Sequence, residues 1–314
     1  TPTLLPPETL SSLLADCLHQ FRCADEAEIS IEVNPATVDA VGLKTLRLAG
    51  FNRLSIGVQS LNDSELRILE RPHSVADAAQ TVRMARAAGF DNINLDLMFG
   101  LPGQELHAWQ NTLDHALDLQ PEHLSIYELT IEPGTPFARQ QEQGRFSLPD
   151  EETALLMLEK TQQALKQAGF DRYEISNYAQ SGSQCRHNIN YWQNREYIGL
   201  GAGAVAFLNG TRCTAIADAD QFCKRLENGM EVWAKKEKLD RDAAFRETVI
   251  MGLRMTAGVS LVELTDRFGM SVEIYYSETL SRLIRQGLLH IVQDRLQLTA
   301  QGLLLANTVM AELV

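Results

Sequence analysis

The sequence predicts an α/β protein with a winged-helix-like part at its C-terminal end. Two observations lead there. In the first half, strand-like runs alternate with helical patterns, the rhythm of parallel strands joined by right-handed helical crossovers. From residue 241 onward the pattern turns helical and encloses one short ribbon. A third observation bears on function: one face of each early strand is small and polar.

The elements follow in order. Strand-like runs lie at 28–33, 53–58, 92–99 and 123–130, and helical patterns at about 39–48, 63–88 (broken near Pro72) and 105–119. Asn62 with Glu65 three residues later predicts a capping-box start for the second helix. Ala-Gly-Phe recurs at 49–51, 88–90 and 168–170. Glycine there supplies a left-handed stop to the helix, and the phenylalanine is expected to seal the end of the sheet before the next strand. Four strands alone leave a barrel and an open sheet equally open.

A parallel strand buried on both faces is almost wholly apolar. Here Ile29-Ser30-Ile31-Glu32-Val33-Asn34, Leu54-Ser55-Ile56-Gly57-Val58-Gln59 and Ile93-Asn94-Leu95-Asp96-Leu97 alternate instead. Their apolar face suits a layer of helices. Their polar face suits a cavity that holds a polar ligand in preference to a buried structural polar network, and its acids and amides fall near the C-terminal strand ends where α/β proteins build sites.

The rest of the chain divides less sharply. A helix after Leu148 leads to Tyr173-Glu174-Ile175-Ser176-Asn177-Tyr178, then to Cys185-Arg186-His187-Asn188-Ile189-Asn190-Tyr191-Trp192 and the glycine-rich stretch 197–204. Residues 211–240 read as a loosely packed connection with one helix. Helices at 260–268 and 272–286, a ribbon at 288–298 and a last helix at 300–313 have the order of a winged helix. The expected division is therefore 1–147, a barrel-like part; 148–210, a closing segment; 211–240, a connection; and 241–314, the winged-helix-like domain.

Composition excludes some functions. Lys and Arg total 28 against 41 Asp and Glu, a formal charge of -13, which is wrong for coating nucleic acid or an anionic membrane. No apolar run reaches the length of a membrane span, and Thr1-Pro2-Thr3 does not open a signal peptide. Five scattered cysteines (17, 23, 185, 213 and 223) read as cytosolic thiols, so a cytoplasmic protein is expected.

Five motifs occur in a specific order: Glu32-Val33-Asn34-Pro35, Asn52 to Ser60, Arg71-Pro72-His73, Asn94-Leu95-Asp96-Leu97-Met98-Phe99-Gly100-Leu101-Pro102-Gly103, and His187-Asn188-Ile189-Asn190-Tyr191-Trp192. In this series the chain resembles, from first residue to last, the radical S-adenosylmethionine (SAM) family around oxygen-independent coproporphyrinogen III oxidase. The His-Asn-x-x-Tyr-Trp element resembles the HemW-type haem chaperone branch. The resemblance implies a partial (β/α) radical-SAM barrel. It also implies a [4Fe–4S] cluster held by Cys-x-x-x-Cys-x-x-Cys, a spacing this sequence lacks. The family's Gly-Gly-Gly-Thr-Pro element corresponds to Thr1-Pro2, so an N-terminally truncated barrel is expected, with the cluster only in a longer chain and no metal ligands here.

Three thiolates leave one iron for the amino and carboxylate groups of SAM, and reduction of the cluster cleaves SAM to a 5′-deoxyadenosyl radical. By resemblance, Glu32 and Asn34 address the amino-acid or ribose end of SAM. Gln59, Arg71 and Asp96 are the polar contacts on later elements, with Thr1 and Thr130 beside them, and Val205 offers backbone to adenine. Haem is the implied cargo, with His187 and Cys185 as candidate iron ligands and Tyr191 and Trp192 as aromatic faces. His73, His123 and the remaining histidines read as structural or solvated. No catalytic residue is assigned.

Three functions compete: a SAM-binding haem chaperone that delivers haem to haem proteins, a radical enzyme decarboxylating coproporphyrinogen III, and a cofactor-free interaction module. The chaperone is the preferred reading. Oxidase turnover is not expected, because no basic cluster answers four propionates. The resemblance leaves room for a homodimer.

Overall fold

Aliphatic side chains at every second strand position decide where the first core lies. The computed structural model describes residues 1–314. It divides into two units, Thr1–Arg172 with Ser176–Gln184, and Tyr173–Ile175 with Cys185–Val314.

The first unit runs α1 (Pro7–Gln20), β1 (Ser30–Val33), α2 (Ala40–Ala49), β2 (Arg53–Gln59), α3 (Asp63–Ile68), α4 (Val75–Ala87), β3 (Ile93–Phe99), α5 (Leu106–Asp118), β4 (His123–Glu128), α6 (Pro136–Glu142), α7 (Glu151–Gln167), β5 (Asp171–Arg172) and β6 (Asn177–Ala179). These strands form one sheet in the order β1-β2-β3-β4-β6-β5. The first four pair in parallel, as the alternation of strands and helices predicts. β6 then runs antiparallel to β4, and β5 antiparallel to β6. Strands of two and three residues have no periodicity to read, so this part of the sheet was not foreseen.

Ile31, Val33, Leu54, Ile56, Ile93, Leu95, Leu97 and Leu124 are buried in one core with Leu43, Leu46, Val82, Trp109, Leu113 and Met157 of the helices. Burying each such side chain contributes roughly 1.5–3 kcal/mol. Trp109 satisfies its indole inside that core, donating to Thr161 Oγ1 at 2.9 Å.

The three Ala-Gly-Phe elements behave alike. Gly50, Gly89 and Gly169 have φ of 118°, 92° and 83°. Phe51, Phe90 and Phe170 donate their N–H groups back to Leu46, Ala85 and Leu165, the six-to-one bond of a Schellman stop, and all three rings are buried. The start of α3 differs from expectation. Asn62 caps Ser64 N at 2.9 Å, but Glu65 is buried and takes the Ser60 hydroxyl at 2.5 Å rather than closing a capping box. The true capping box is Ser74 with Asp77 at the start of α4.

The second unit contains α8 (Arg186–Trp192), β7 (Val205–Leu208), β8 (Thr211–Ala215), α9 (Ala219–Glu227), β9 (Trp233–Lys238), α10 (Arg241–Gly252), β10 (Val259–Ser260), α11 (Leu261–Phe268), α12 (Val272–Arg285), β11 (Leu289–Val292), β12 (Arg295–Leu298), α13 (Ala300–Leu304) and α14 (Ala306–Ala311). Residues 211–240 hold the one helix expected and also two strands, which join β7 in an antiparallel sheet. The final helix read at 300–313 is two short helices. β10, β12 and β11 form the small antiparallel sheet of the winged-helix-like part, over a core that includes Phe245, Val249, Leu264, Leu283, Leu296 and Val309. No helix is long and apolar enough to cross a membrane.

Candidate functional site

Strand register sets the polar face of the first unit. Glu32 pairs with Ser55, Ser55 with Asn94 and Asn94 with His123, while Asp96 pairs with Ser125. These residues alternate with the core aliphatics, so they project to the side away from the helices.

Their side chains make one network. Asn94 Nδ2 donates to Asp96 Oδ1 and to Ser55 Oγ, both at 2.7 Å. Ser55 Oγ donates to the Asp96 carboxylate at 3.2 Å. Asn94 Oδ1 receives His123 Nδ1 at 2.6 Å and the Ser125 hydroxyl at 3.1 Å. Burial holds His123 far below the usual imidazole range, at about 2, with the Arg53 charge adding to the effect, so the ring is neutral. A neutral ring donating to Asn94 fixes that amide, which in turn points its N–H group at Asp96. Burial pushes the Asp96 carboxyl upward against the lowering effect of Asn94, Ser125 and Ser55, and the charge of Glu32 pushes it further the same way.

At the strand ends a second group converges. Gln59 closes β2 after a shift in register and has a φ of 67°. A Cβ built on Gly57 stands 3.0 Å from Asn34 Oδ1 and 3.2 Å from Gln59 Nε2, so the missing side chain lets both amides reach the same space. Asn34 Nδ2 also donates to Thr1 Oγ1 at 2.5 Å.

Thr1, Glu32, Asn34, Gln59 and Asp96 thus share the polar face and its C-terminal edge. Arg71 lies in the turn after α3, exposed, its guanidinium without a hydrogen bond or ion pair. The buried His73 two residues later ties that turn to the end of β2 through Val58 O at 3.1 Å. Thr130 is exposed, two residues past β4. Val205 belongs to the second unit, where it opens β7 and its carbonyl lies against Gly199, closer than any side chain there would allow.

The four haem candidates also belong to the second unit, along α8 and at its N-terminal end. Cys185 is buried at the N-terminal end of α8 and donates its N–H to Tyr173 Oη at 3.3 Å. His187 is exposed and meets Tyr191 edge-on, with ring centroids 4.7 Å apart. Tyr191 continues to Tyr197 at 4.6 Å. Trp192 lies under the Arg254 guanidinium at 4.4 Å.

Sequence reasoning passed over Ser55, Asn94, His123 and Ser125 as site residues. The alternation that singled out Asp96 also placed Ser55 and Asn94 on the same face, whereas His123 and Ser125 join it through the pairing of β4 with β3. Their mutual bonds depend on register, which the sequence does not display.

Comparison with known proteins settles the family. A Radical SAM superfamily profile matches residues 1–116, and a HemN C-terminal domain profile matches residues 239–305. The Heme chaperone HemW of Bacillus subtilis is 36% identical over 311 residues, covering 98% of this chain and 82% of that protein. The chain belongs to the HemW family of radical SAM proteins. The mitochondrial Radical S-adenosyl methionine domain-containing protein 1 of Danio rerio is 34% identical, covering 99% of this chain and 72% of the relative. Coproporphyrinogen III oxidase (HemN) from Escherichia coli, described as a radical SAM enzyme, superposes with a TM-score of 0.85 at 25% identity, over all of this chain and 75% of the solved one.

Membership of the HemW family implies SAM and a [4Fe–4S] cluster. The donor set on the polar face suits SAM: two carboxylates for a cation, and amides and hydroxyls for an amino acid and a ribose. The cluster does not fit the residues present. The five cysteines are dispersed, and no group of three His, Cys, Asp or Glu stands ready for a metal ion.

Proposed function

We propose that the protein is a haem chaperone, which binds haem and passes it to haem proteins, and which binds SAM on the polar face of its first unit. The observation that carries this reading is near-full-length similarity to bacterial proteins named Heme chaperone HemW, a similarity that spans the His-Asn-x-x-Tyr-Trp helix. That helix is built into its unit: besides the Trp192–Arg254 stack, Asn194 Nδ2 donates to Thr248 Oγ1 at 3.0 Å, and Arg267 donates to the carbonyls of Gln193 and Asn194.

Glu32 and Asp96 hold the cationic end of SAM in this reading. Asn34, Gln59 and Thr1 hold its polar groups, while Arg71 and Thr130 complete the contact from their turns. The cytoplasm is the proposed compartment, in line with the scattered cysteines. Residues 241–314 form the proposed winged-helix-like domain.

The structural likeness to HemN favours a second reading, porphyrinogen decarboxylation. One experiment separates the two: anaerobic turnover with coproporphyrinogen III, a reductant and SAM, run beside haem transfer to an apo-acceptor. Haem transfer without protoporphyrinogen is the expected result. Protoporphyrinogen over many turnovers, with no haem bound or transferred, overturns the chaperone reading.

A further inference from the structure

The second unit contains a cavity of about 740 Å3, a size in the range of small-molecule sites (about 300–1,000 Å3). The C-terminal end of α8 contributes Trp192 and the turn after it Arg195, α11 contributes Arg267 and Phe268, and β7 and β12 contribute Phe207 and Arg295. The lining therefore combines aromatic rings with N–H donors.

Those donors are only partly matched by acceptors within the chain. Trp192 Nε1 is buried and has no hydrogen-bond partner, while Arg254 holds its ring in place from above. Arg195 is exposed, and its guanidinium makes no hydrogen bond or ion pair. Arg267 and Arg295 are spent in part on backbone carbonyls, and neither joins any of the chain's ion pairs. Burial, and then the nearby charge of Arg195, pulls Arg267 below the usual guanidinium range, while Glu263 opposes this. Of the two carboxylates on the cavity wall, Glu263 is thus in electrostatic reach of Arg267, and Glu196 is occupied by Asn209 N at 2.5 Å. In a chain of net charge -13, three guanidiniums and an unsatisfied indole N–H around one cavity are a local excess of donors.

We infer that this cavity is a carboxylate-binding site and that, in a haem chaperone, it takes the propionate edge of the haem. The guanidinium fork and the indole N–H suit the planar carboxylate, and the Phe207 and Phe268 walls suit a flat apolar body. Neither His187 nor Tyr191 lines the cavity, so haem seated here is held by its propionates and ring rather than through that imidazole. The inference rests on the chaperone reading.

The test is haem titration of the whole chain, followed at the Soret band, with haem and haem dimethyl ester as probes. Arg195→Gln removes an unpartnered surface side chain, and Trp192→Phe removes the N–H while keeping a ring beneath Arg254. Both are expected to weaken haem binding about tenfold, the scale of losing one charge-assisted hydrogen bond. Arg195→Lys recovers part of the loss. The ester binds the unaltered chain weakly and is insensitive to Arg195→Gln. Equal haem affinity in the unaltered chain and Arg195→Gln, or an ester that binds as tightly as haem, overturns the carboxylate site and leaves the chaperone reading standing. No haem binding by the unaltered chain overturns that reading, and this site with it.

Discussion

Replacing Asp96 by Asn is expected to weaken SAM binding and to stabilise the protein at once. Asn keeps the shape and an acceptor for Ser55 but removes the charge that faces Glu32 across the polar face. A hydrogen bond to a charged group is worth about 1.5–3 kcal/mol net, which corresponds to a ten- to hundredfold loss of affinity for a cationic ligand. Stability moves the other way. Burial raises the Asp96 pKa in the folded chain, so the folded state favours the protonated acid. The stability this gives is fully present below the unfolded carboxylate pKa and is lost as pH rises through the raised folded value. At neutral pH the charged carboxylate is thus a cost that Asp96→Asn removes. Calorimetric titration with SAM and thermal melting at pH 7 read the two effects. The affinity of the unaltered chain also falls on acidification through the raised pKa, whereas that of Asp96→Asn does not. SAM binding unchanged in the variant, or a lowered melting temperature, refutes the assignment of Asp96 as a strained carboxylate kept for a cation.

Four other outcomes follow from the same structure. Gly57→Ala sets a methyl 3.0 Å from Asn34 Oδ1 and 3.2 Å from Gln59 Nε2, so SAM affinity drops while the melting temperature changes little; equal affinity shows that these amides do not serve SAM. Anaerobic reconstitution of this chain with iron and sulfide gives no cluster absorbance, since its cysteines are dispersed; a stable absorbance overturns that account. His187→Ala leaves the Soret band of bound haem unchanged, and a shifted band makes the imidazole an axial ligand instead. His123 is neutral down to about 2 when folded but takes up a proton near 6.5 when unfolded, so its contribution to stability is full above that value and declines as pH falls below it. Melting at pH 5 against pH 7 in His123→Gln, which has no such titration, isolates the effect.

The sheet was legible wherever period-two alternation was long enough to read. Ile31, Leu54, Ile93 and their neighbours went to the helix side, and Glu32, Ser55 and Asp96 to the other, because a single backbone geometry fixes the faces of a strand. The Ala-Gly-Phe stops were legible for a similar reason, since few residues but glycine accept the φ required. The antiparallel turn into β6 and β5 was hidden because those strands are too short for any pattern. β9 was hidden because Trp233-Ala-Lys-Lys-Glu-Lys reads as a solvated charged run, and only its pairing with β8 makes it a strand. The contacts that organise the sites were illegible altogether. The Asn94–His123 bond depends on the register of β3 with β4, and the Trp192–Arg254 stack joins residues 62 positions apart.

Charge gives the two units complementary tasks. On the polar face of the first, burial and then the charge of Glu32 raise the cost of ionising Asp96, against the hydrogen bonds of Asn94, Ser125 and Ser55. A cation relieves that cost, and SAM is one. Around the cavity of the second, Arg195 and Arg267 oppose one another and the indole of Trp192 lacks an acceptor. An anion relieves this, and a haem propionate is one. Each arrangement is costly without its ligand, and that cost makes both sites selective, since a ligand of the wrong sign adds to the repulsion. The overall charge of -13 disfavours a free tetra-anionic porphyrinogen near the chain, and the cavity described above sets three guanidiniums against that charge. Carriage of a dianionic haem is the function that this distribution of charge permits.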